Sequence, residues 1–348
     1  MRVRIAVVLL AAAAALLPVP EPIVERVYST GIFVLWQRAA TVFSNAVPFA
    51  LFDALVVALT AAWIALAVRD LVRRRLRALL PIAWRTVVWA SVVYVAFLAA
   101  WGLNYQRVAL EEKIGVDRRL VTADAARALA RTVVAGANAE YAPAQAAGWP
   151  ARGVVDPALR GGFAAALEDL GASPRVVPGR PKTSVFDLYF RRAVVDGMTD
   201  PFFLETLVAS DLNPFERPFV VAHEWAHLAG YADEGEANLI GWLACMRGNA
   251  ADRYSAWLFL YQEVGQTLPR ADRLEDAGAL ADGPRRDLRA IAARVERNAS
   301  PRVAQAGWQV YNQYLKANGV EAGAASYTEV VKLLLGSRFS PIRGASRP

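Results

Sequence analysis

Three apolar runs near the N-terminus constrain the fold of this chain more than any other feature. The first is Ile5–Val19, which consists mainly of Ala, Leu and Val. The second is Phe49–Val68, with Asp53 as its only acid, and the third is Thr86–Leu103, which has no charged residue. The last two approach the roughly 20 residues that a helix needs to cross a bilayer. We therefore expect transmembrane helices at about 5–19, 49–68 and 86–103.

Arginines beside these runs predict the orientation of the helices. Arg2 and Arg4 precede the first run. The short loop 69–85 contains six more, namely Arg69, Arg73, Arg74, Arg75, Arg77 and Arg85. Short arginine-rich loops stay in the cytoplasm, so we expect everything after Trp101 to lie outside it. The first run lacks a clear small-x-small cleavage site, which favours a retained anchor.

Composition indicates which kinds of molecule the protein is expected to bind. The chain is 55% hydrophobic with a net charge of +7, and much of the positive charge lies in loop 69–85. No basic stripe with interleaved aromatic residues is present, so we expect a lipid bilayer as a partner and no nucleic acid. The single Cys245 excludes an internal disulfide. Nothing in the pattern indicates the oligomeric state.

The only two histidines of the chain stand four residues apart in His223-Glu224-Trp225-Ala226-His227. Residues i and i+4 share a helix face, so both imidazoles can reach one metal ion. Glu224 would project beside that metal and take a proton from a metal-bound water. The motif therefore predicts a Zn²⁺ hydrolase site with Glu224 as the catalytic general base.

A zinc hydrolase needs a third protein ligand and an open position for water. Asp233, Glu234 and Glu236 all follow the motif closely. Asp233 stands six residues after the second histidine, where the metzincin peptidases have their third ligand. Glu234 begins a pattern that resembles the Glu-x-x-x-Asp of the gluzincin peptidases. Glu234 and Asn238 share a helix face and Glu236 does not, so Glu234 is the preferred ligand, with Glu236 and Asp233 as alternatives.

The same pattern suggests supporting roles for other residues. Asn238 could hydrogen-bond a ligand imidazole and hold its ring orientation. An oxyanion in the reaction would need a further donor. Since no third histidine exists, Tyr231 and Tyr254 are candidates because they lie near the two metal-binding helices in sequence.

Local signals divide the rest of the chain into mainly helical segments. Glu21–Pro48 is expected to be partly helical and to lie along the outer membrane surface. Thr122 and Asp156 are expected helix caps, and Pro218 suits the first turn of the metal-binding helix. Further helices are expected at about Asp233–Cys245, from Asp252 and beyond Arg285, with loops at 142–153 and 270–284. Ser326-Tyr327-Thr328-Glu329 has the pattern of a capping box.

Strand signals cluster before the metal motif. Residues 175–177, 184–190 and 202–209 are rich in β-branched and aromatic side chains and are separated by Pro and Gly. We expect a small sheet there, with Phe202–Ala209 placed to pair with an extended substrate.

Several segments together resemble a known family. They are Trp101-Gly102-Leu103-Asn104-Tyr105, Pro181-Lys182, Pro201–Glu205, the His223–His227 motif, Glu234–Asn238, Tyr311–Leu315 and Ser326-Tyr327. This set is similar to the bacterial membrane family called domain of unknown function 3810. The resemblance covers nearly the whole chain and implies a zinc-peptidase-like exterior domain behind three membrane helices. It implies no substrate. Asn238 stands where the better-known gluzincins have an acid.

The sequence as a whole predicts an α+β, mainly helical protein. A membrane domain at 1–103 would precede a zincin-like extracytoplasmic domain at 104–348 with a small β-sheet. The leading functional hypothesis is a multi-pass zinc metallopeptidase of the bacterial inner membrane that hydrolyses a peptide or protein on the periplasmic or extracellular side. One alternative is a non-hydrolytic, metal-containing module that binds an envelope partner. Another is a zinc amidase that acts on cell-wall peptides.

Overall fold

The most apolar segment of the chain forms an antiparallel helical hairpin. The computed structural model describes residues 1–17, 19–317 and 329–344. Helices α4 (Leu51–Arg74) and α5 (Leu79–Ala100) are joined by a 3-10 turn at Arg75–Ala78. Trp63 Nε1 donates to Thr86 Oγ1 at 3.0 Å. In an unbroken helix these two residues would be about 34 Å apart, so the chain reverses direction at the turn.

This hairpin segment is the candidate membrane-spanning element. Leu51–Ala100 has a mean hydropathy of 2.3 in its most apolar window, and 11% of that window is buried. Helix α1 (Arg2–Leu16) and the helical stretch Glu21–Ala46 meet at a bend of 111° and would together make a second candidate if they form one broken span. By length and composition the structure thus supports one such element, and three separate transmembrane helices remain a prediction.

Helix α1 packs along α5. Just beyond α1, the backbone N–H of Val19 donates to Gln106 Oε1 at 3.1 Å, close to the C-terminal end of α5. The two helices therefore end on the same side of the molecule and run parallel. Their N-terminal ends place Arg2 and Arg4 on the side of the Arg75–Ala78 turn.

The stretch 21–46 is helical throughout. This confirms the prediction of helical structure within Glu21–Pro48. It comprises α2 (Glu21–Ile23), a π-helical segment (Val24–Ile32) and α3 (Phe33–Ala46). Gln37 both donates to the carbonyl and accepts from the N–H of Val177. Asn45 likewise donates to the carbonyl of Pro178 and accepts from the N–H of Arg180. One side of α3 is therefore held against the segment that leads into the sheet.

A three-stranded sheet has the order β1-β3-β2. Strand β1 (Pro181–Lys182) runs parallel to β3 (Thr206–Val208), and β2 (Gly197–Thr199) runs antiparallel to β3. All three residues of β3 are buried, because this strand is paired on both sides. The prediction that 202–209 pairs with a substrate is therefore wrong, and β2 is the edge strand on the side of the metal motif.

The other strand predictions also require correction. Residues 175–177 are not in a strand, and most of 184–190 belongs to a loop and to helix α9 (Asp187–Ala193). Ser184 Oγ donates to Asp53 Oδ1 at 2.6 Å and accepts from the N–H of Phe186, which starts this turn. A contact to α4 thus overrides the local β propensity, as tertiary context commonly does.

Apart from short turns and loops, the described residues after α5 and outside the sheet are mostly helical. The bounds of these helices are α6 (Leu110–Ile114), α7 (Ala123–Ala147), α8 (Pro157–Asp169), α10 (Arg217–Leu228), α11 (Glu234–Met246), α12 (Ala250–Thr267), α13 (Arg270–Ala279), α14 (Asp282–Asn298), α15 (Pro301–Ala317), α16 (Glu329–Gly336) and α17 (Pro341–Gly344). Thr122 and Asp156 cap α7 and α8 as predicted, and Pro218 lies in the first turn of α10. Helix α7 extends into the predicted loop 142–153, and α13 occupies most of 270–284. Ser326, Tyr327 and Thr328 lie outside the described residues.

Helix α11 lies at the centre of the hydrophobic core that follows the hairpin. Every residue from Glu234 to Cys245 is buried, and the helix packs against α8, α10, α12 and α16. Close approach depends on glycine at two positions. A Cβ on Gly162 of α8 would lie 2.3 Å from the carbonyl oxygen of Ala244, and one on Gly241 would lie 3.0 Å from the backbone nitrogen of His223. The absence of both side chains lets α11 contact its neighbours backbone to backbone.

A buried ion pair joins the sheet to the start of α4. Lys182 Nζ lies 2.5 Å from Glu205 Oε1, with side chains 4% and 0% exposed. Lys182 also donates to the carbonyls of Ser44 and Phe49, and Glu205 accepts from the N–H groups of Leu51 and Phe52. The carboxylate thus caps α4 at the end where a helix dipole favours negative charge.

We predict that Lys182→Met destabilises the protein by about 3–5 kcal/mol, because Glu205 would remain buried without its counter-charge. The matched control is Lys332→Met, which breaks the ion pair between Lys332 and Glu329. The side chain of Lys332 is 56% exposed. The effect of this substitution should stay within about 1 kcal/mol. Denaturant unfolding of the detergent-purified variants measures both, and equal effects would contradict the prediction.

Candidate metal centre

Three side chains from α10 and α11 converge on one point. His223 Nε2 lies 3.1 Å from His227 Nε2 and 3.3 Å from Glu234 Oε2, and His227 Nε2 lies 3.7 Å from the same oxygen. Within the described part of the chain, this is the one group of three or more His, Cys, Asp or Glu side chains whose ligand atoms come this close together. The structure therefore assembles the two histidines with the preferred one of the three candidate acids.

The spacing of these atoms suits a single zinc ion. Ligands at about 2.0–2.1 Å from a tetrahedral zinc lie about 3.3 Å from one another. The three observed separations scatter around that value. Two imidazole nitrogens and one carboxylate oxygen are also a donor set that catalytic zinc uses. The residues present thus fit the predicted metal.

The alternative acids are engaged in other contacts. Asp233 is the N-cap of α11 and accepts from the N–H of Glu236 at 3.1 Å. Glu236 Oε1 accepts from the N–H of Leu110 at the start of α6. Only Glu234, the first residue of α11, turns toward the histidines.

Hydrogen bonds orient the second histidine. His227 Nδ1 lies 2.7 Å from the carbonyl oxygen of Tyr231, so Nδ1 donates to this carbonyl and Nε2 is the ring nitrogen that faces the cluster. Trp101 Nε1 donates to the backbone carbonyl of His227 at 2.9 Å. His223 Nδ1 has no hydrogen-bond partner among the described residues. Asn238 is buried one turn after Glu234, and its support of a ligand imidazole remains a prediction.

Glu224 lies between α10 and the edge strand. It is buried, and Thr199 Oγ1 of β2 is 2.9 Å from its Oε2 and 2.9 Å from its backbone carbonyl. Gly197 allows this approach, since a Cβ there would lie 2.5 Å from Glu224 Oε1. Sequence reasoning missed both residues, because short strands such as β2 carry no strong local signal.

The charges of the cluster favour a bound cation. Burial would lower the pKa of His227, but Glu234 and Glu224 raise it to about 9. Burial would raise the pKa of Glu234, but the two imidazoles bring it below its ordinary value. Burial raises the pKa of Glu224. A buried group of two carboxylates and two imidazoles is thus electrostatically suited to hold a positive charge.

Comparison with models of known protein families assigns the chain to a family. The model described as "Protein of unknown function (DUF3810)" matches residues 28–335. The chain belongs to this family. No curated protein and no solved structure matched the chain.

The segment Trp101–Tyr105, which is part of the resemblance to DUF3810, supports the backbone of the candidate metal centre. Trp101 binds the carbonyl of His227, and Asn104 Nδ2 donates to the carbonyl of Trp101. Asn104 Oδ1 accepts from Ser29 Oγ at 2.8 Å. These contacts tie the end of α5 and the π-helical segment to the C-terminal end of α10.

A third missed residue, Arg294, connects the elements on either side of Glu224. Arg294 of α14 lies 3.0 Å from Asp196 Oδ1 and 2.7 Å from Glu216 Oε1. Asp196 immediately precedes β2, and Glu216 immediately precedes α10. The buried guanidinium therefore holds the edge strand next to the metal helix. No local pattern in the sequence distinguishes Arg294 from the other arginines of its helix.

The structure gives the two candidate oxyanion donors other contacts. Tyr254 OH donates to Asp287 at 2.7 Å, within a separate apolar cluster. The hydroxyl is thus directed toward α14, and the role of Tyr254 as an oxyanion donor stays a prediction. The ring of Tyr231 lies 4.2 Å from the guanidinium carbon of Arg107. Tyr231 contributes its backbone carbonyl to His227, a role that the sequence did not indicate.

We predict that Gly241→Ala weakens metal retention and destabilises the protein by about 1–3 kcal/mol, since the added methyl group would force α11 away from the His223 backbone. Gly265→Ala on α12 is the control, because a Cβ there meets nothing within 4 Å. Thermal unfolding and metal content measure the two effects. Similar behaviour of both variants would show that close contact between the helices is not required.

Proposed function

We propose that this member of DUF3810 is a membrane-anchored zinc metallopeptidase that hydrolyses peptide bonds on the extracytoplasmic side. The observation that carries the proposal is the convergence of His223, His227 and Glu234 at ligand spacing with Glu224 beside them. The glutamate between the histidines favours hydrolysis over a purely structural site, which has no need of a base.

The residues of the chain divide the reaction between them. His223, His227 and Glu234 would hold the zinc, which when bound supplies the Lewis acid that polarises the scissile carbonyl. Glu224 takes a proton from the attacking water and passes it to the leaving amine. Burial raises the pKa of this carboxylate and so makes it a stronger base, and the hydroxyl of Thr199 donates to Oε2 and fixes its orientation. Arg294 positions β2 and does not itself react.

Strand β2 is suited to align the substrate. It is the edge strand of the sheet and lies next to Glu224 through Gly197 and Thr199. An extended peptide can add to such an edge by main-chain hydrogen bonds. This placement would hold the scissile bond of the peptide beside the base.

We predict about one zinc per chain in the detergent-purified protein. His227→Ala and Glu234→Gln should lose the metal, and Glu236→Gln should keep it because Glu236 faces Leu110. Glu224→Gln should keep zinc and lose cleavage of a peptide library by about 100-fold or more. Elemental analysis and mass-spectrometric product profiling measure the two properties.

The outcomes separate the parts of the proposal. A folded wild-type protein without bound metal contradicts the zinc centre. Zinc that disappears with Glu236→Gln instead of Glu234→Gln moves the third ligand. Full cleavage by Glu224→Gln rules out Glu224 as the base.

The hairpin supports the membrane part of the proposal. Helix α4 has 24 residues and α5 has 22, so each is long enough to cross a bilayer. Helix α1 runs parallel to α5, which brings Arg2 and Arg4 to the side of the arginine-rich turn. This common basic side is the arrangement expected for the cytoplasmic face, with the metal centre on the opposite side.

Exposed apolar side chains occur in α3, in the turn before α4 and in α9. The exposed residues are Trp36, Phe43, Phe49, Leu188 and Tyr189. Leu188 and Tyr189 belong to α9. The loop before α9 is held against α4, because the N–H of Val185 donates to Asp53 Oδ2 at 2.7 Å. Aromatic side chains at this level are typical of a membrane interface. Since α9 leads directly into β2, the metal centre would open close to the bilayer surface.

We predict that a fluorescent label on Leu188→Cys is quenched by lipid-attached quenchers in nanodiscs. A label on Leu274→Cys of α13, which is similarly exposed and distant in sequence from the hairpin, should be quenched by water-soluble iodide instead. The native Cys245 is buried and should not be labelled in the folded protein. Identical quenching profiles for both positions would contradict the interfacial placement of α9.

A further inference from the structure

A cavity lies on the side of α10 that faces away from the metal centre. It is a small cleft of about 60 Å³ that opens to solvent, and it is bounded by the start of α8, the ends of β1 and β3, and the first turns of α10. Val221 of α10 lines it, and His223 is about 200° further around the helix. None of the cluster residues lines the cavity, so it is a separate site.

Two arginines line this cavity without an ion-pair partner. They are Arg152 and Arg217, and neither forms an ion pair with a described residue. Arg217 Nη1 donates to the carbonyl of Pro150 at 3.3 Å, and Arg217 Nε is buried with no hydrogen-bond partner among the described residues. Burial and the neighbouring Arg152 both lower the pKa of Arg217, which shows that the two positive charges are close enough to repel one another.

The one acid on the cavity wall forms no ion pair with either arginine. Asp156 Oδ1 accepts from the N–H groups of Ala158 and Leu159 and caps α8. This oxygen is therefore engaged at the start of the helix. An unpaired donor on a buried guanidinium is costly unless an acceptor satisfies it, so the site is suited to an anionic ligand.

The remainder of the wall is mostly apolar and includes Leu159, Val208 and Val221. A ligand that fills the cavity therefore needs an apolar part as well as an anionic part. Two guanidinium groups carry two positive charges, which a phosphate monoester balances more fully than a carboxylate does. Arginine also binds phosphate oxygens with two parallel hydrogen bonds.

We propose that this cavity binds a phosphate monoester, with the phosphate between Arg152 and Arg217 and a short apolar group against Leu159, Val208 and Val221. The site is independent of the metal centre. The same chemistry occurs in a soluble phosphate ester and in the headgroup of phosphatidic acid. Lys182 connects the cavity to the hairpin, because it lines the cavity and donates to the carbonyl of Phe49, two residues before α4.

Calorimetric titration of the full detergent-purified chain with monobutyl phosphate and with inorganic phosphate tests the site. We expect the butyl ester to bind more tightly than inorganic phosphate, because only the ester contacts the apolar wall. Arg217→Gln and Arg152→Gln should each weaken binding about tenfold or more. The control is Arg160→Gln, an exposed arginine of α8 that does not line the cavity and whose loss should leave the affinity unchanged.

Failure of the site has a clear signature. No binding of either compound, or equal affinities of wild type and Arg152→Gln, overturns the proposal, and Arg152 is exposed enough for this variant to fold. Equal affinities for the ester and for phosphate overturn the apolar part. In phosphatidylcholine nanodiscs, added phosphatidic acid that competes with butyl phosphate identifies a lipid headgroup, and no competition identifies a soluble ester. Zinc content should be the same in all these variants.

Discussion

The close packing of α10 against α11 is the interaction on which the candidate metal centre depends. The two histidines share one helix, but the third donor comes from another, so the site exists only when these helices touch. Gly241 makes this possible because it lets α11 approach the backbone of His223 directly. The α11 N-cap, Asp233, then sets the first turn so that Glu234 faces the imidazoles. Complete burial of α11 by α8, α12 and α16 holds this arrangement in place.

A second constraint connects the metal centre to the apolar hairpin. The buried pair of Lys182 and Glu205 joins β1 and β3 to the first turn of α4, and Asp53 of α4 holds the loop before α9. At the same end of the hairpin, Trp101 follows α5 and donates to the carbonyl of His227. The start of α4 and the end of α5 are thus both bonded to elements that form the candidate metal centre. Movement of the hairpin relative to these elements would disturb β2 and α10 together.

Features that depend on short stretches of sequence were predicted well. Thr122, Asp156 and Pro218 act at their helix starts as expected, because capping requires only residues within the first turn. The membership in DUF3810 was likewise indicated by short motifs spread along the chain. Strands were predicted poorly. Residues 184–190 have β propensity, but contacts to Asp53 start a helix there, and Thr206–Val208 is central where an edge was expected.

The sequence by itself determined that the two histidines would share a helix face with Glu224 next to them, because the helical period places residues four apart together. It narrowed the third ligand to three acids and could not choose among them with certainty. Only the tertiary structure decided that Glu234 turns inward while Asp233 and Glu236 bind backbone N–H groups. The roles of Thr199, Gly197 and Arg294 also came from the fold alone. These residues are distant along the chain from the partners they contact, so no local periodicity could reveal them.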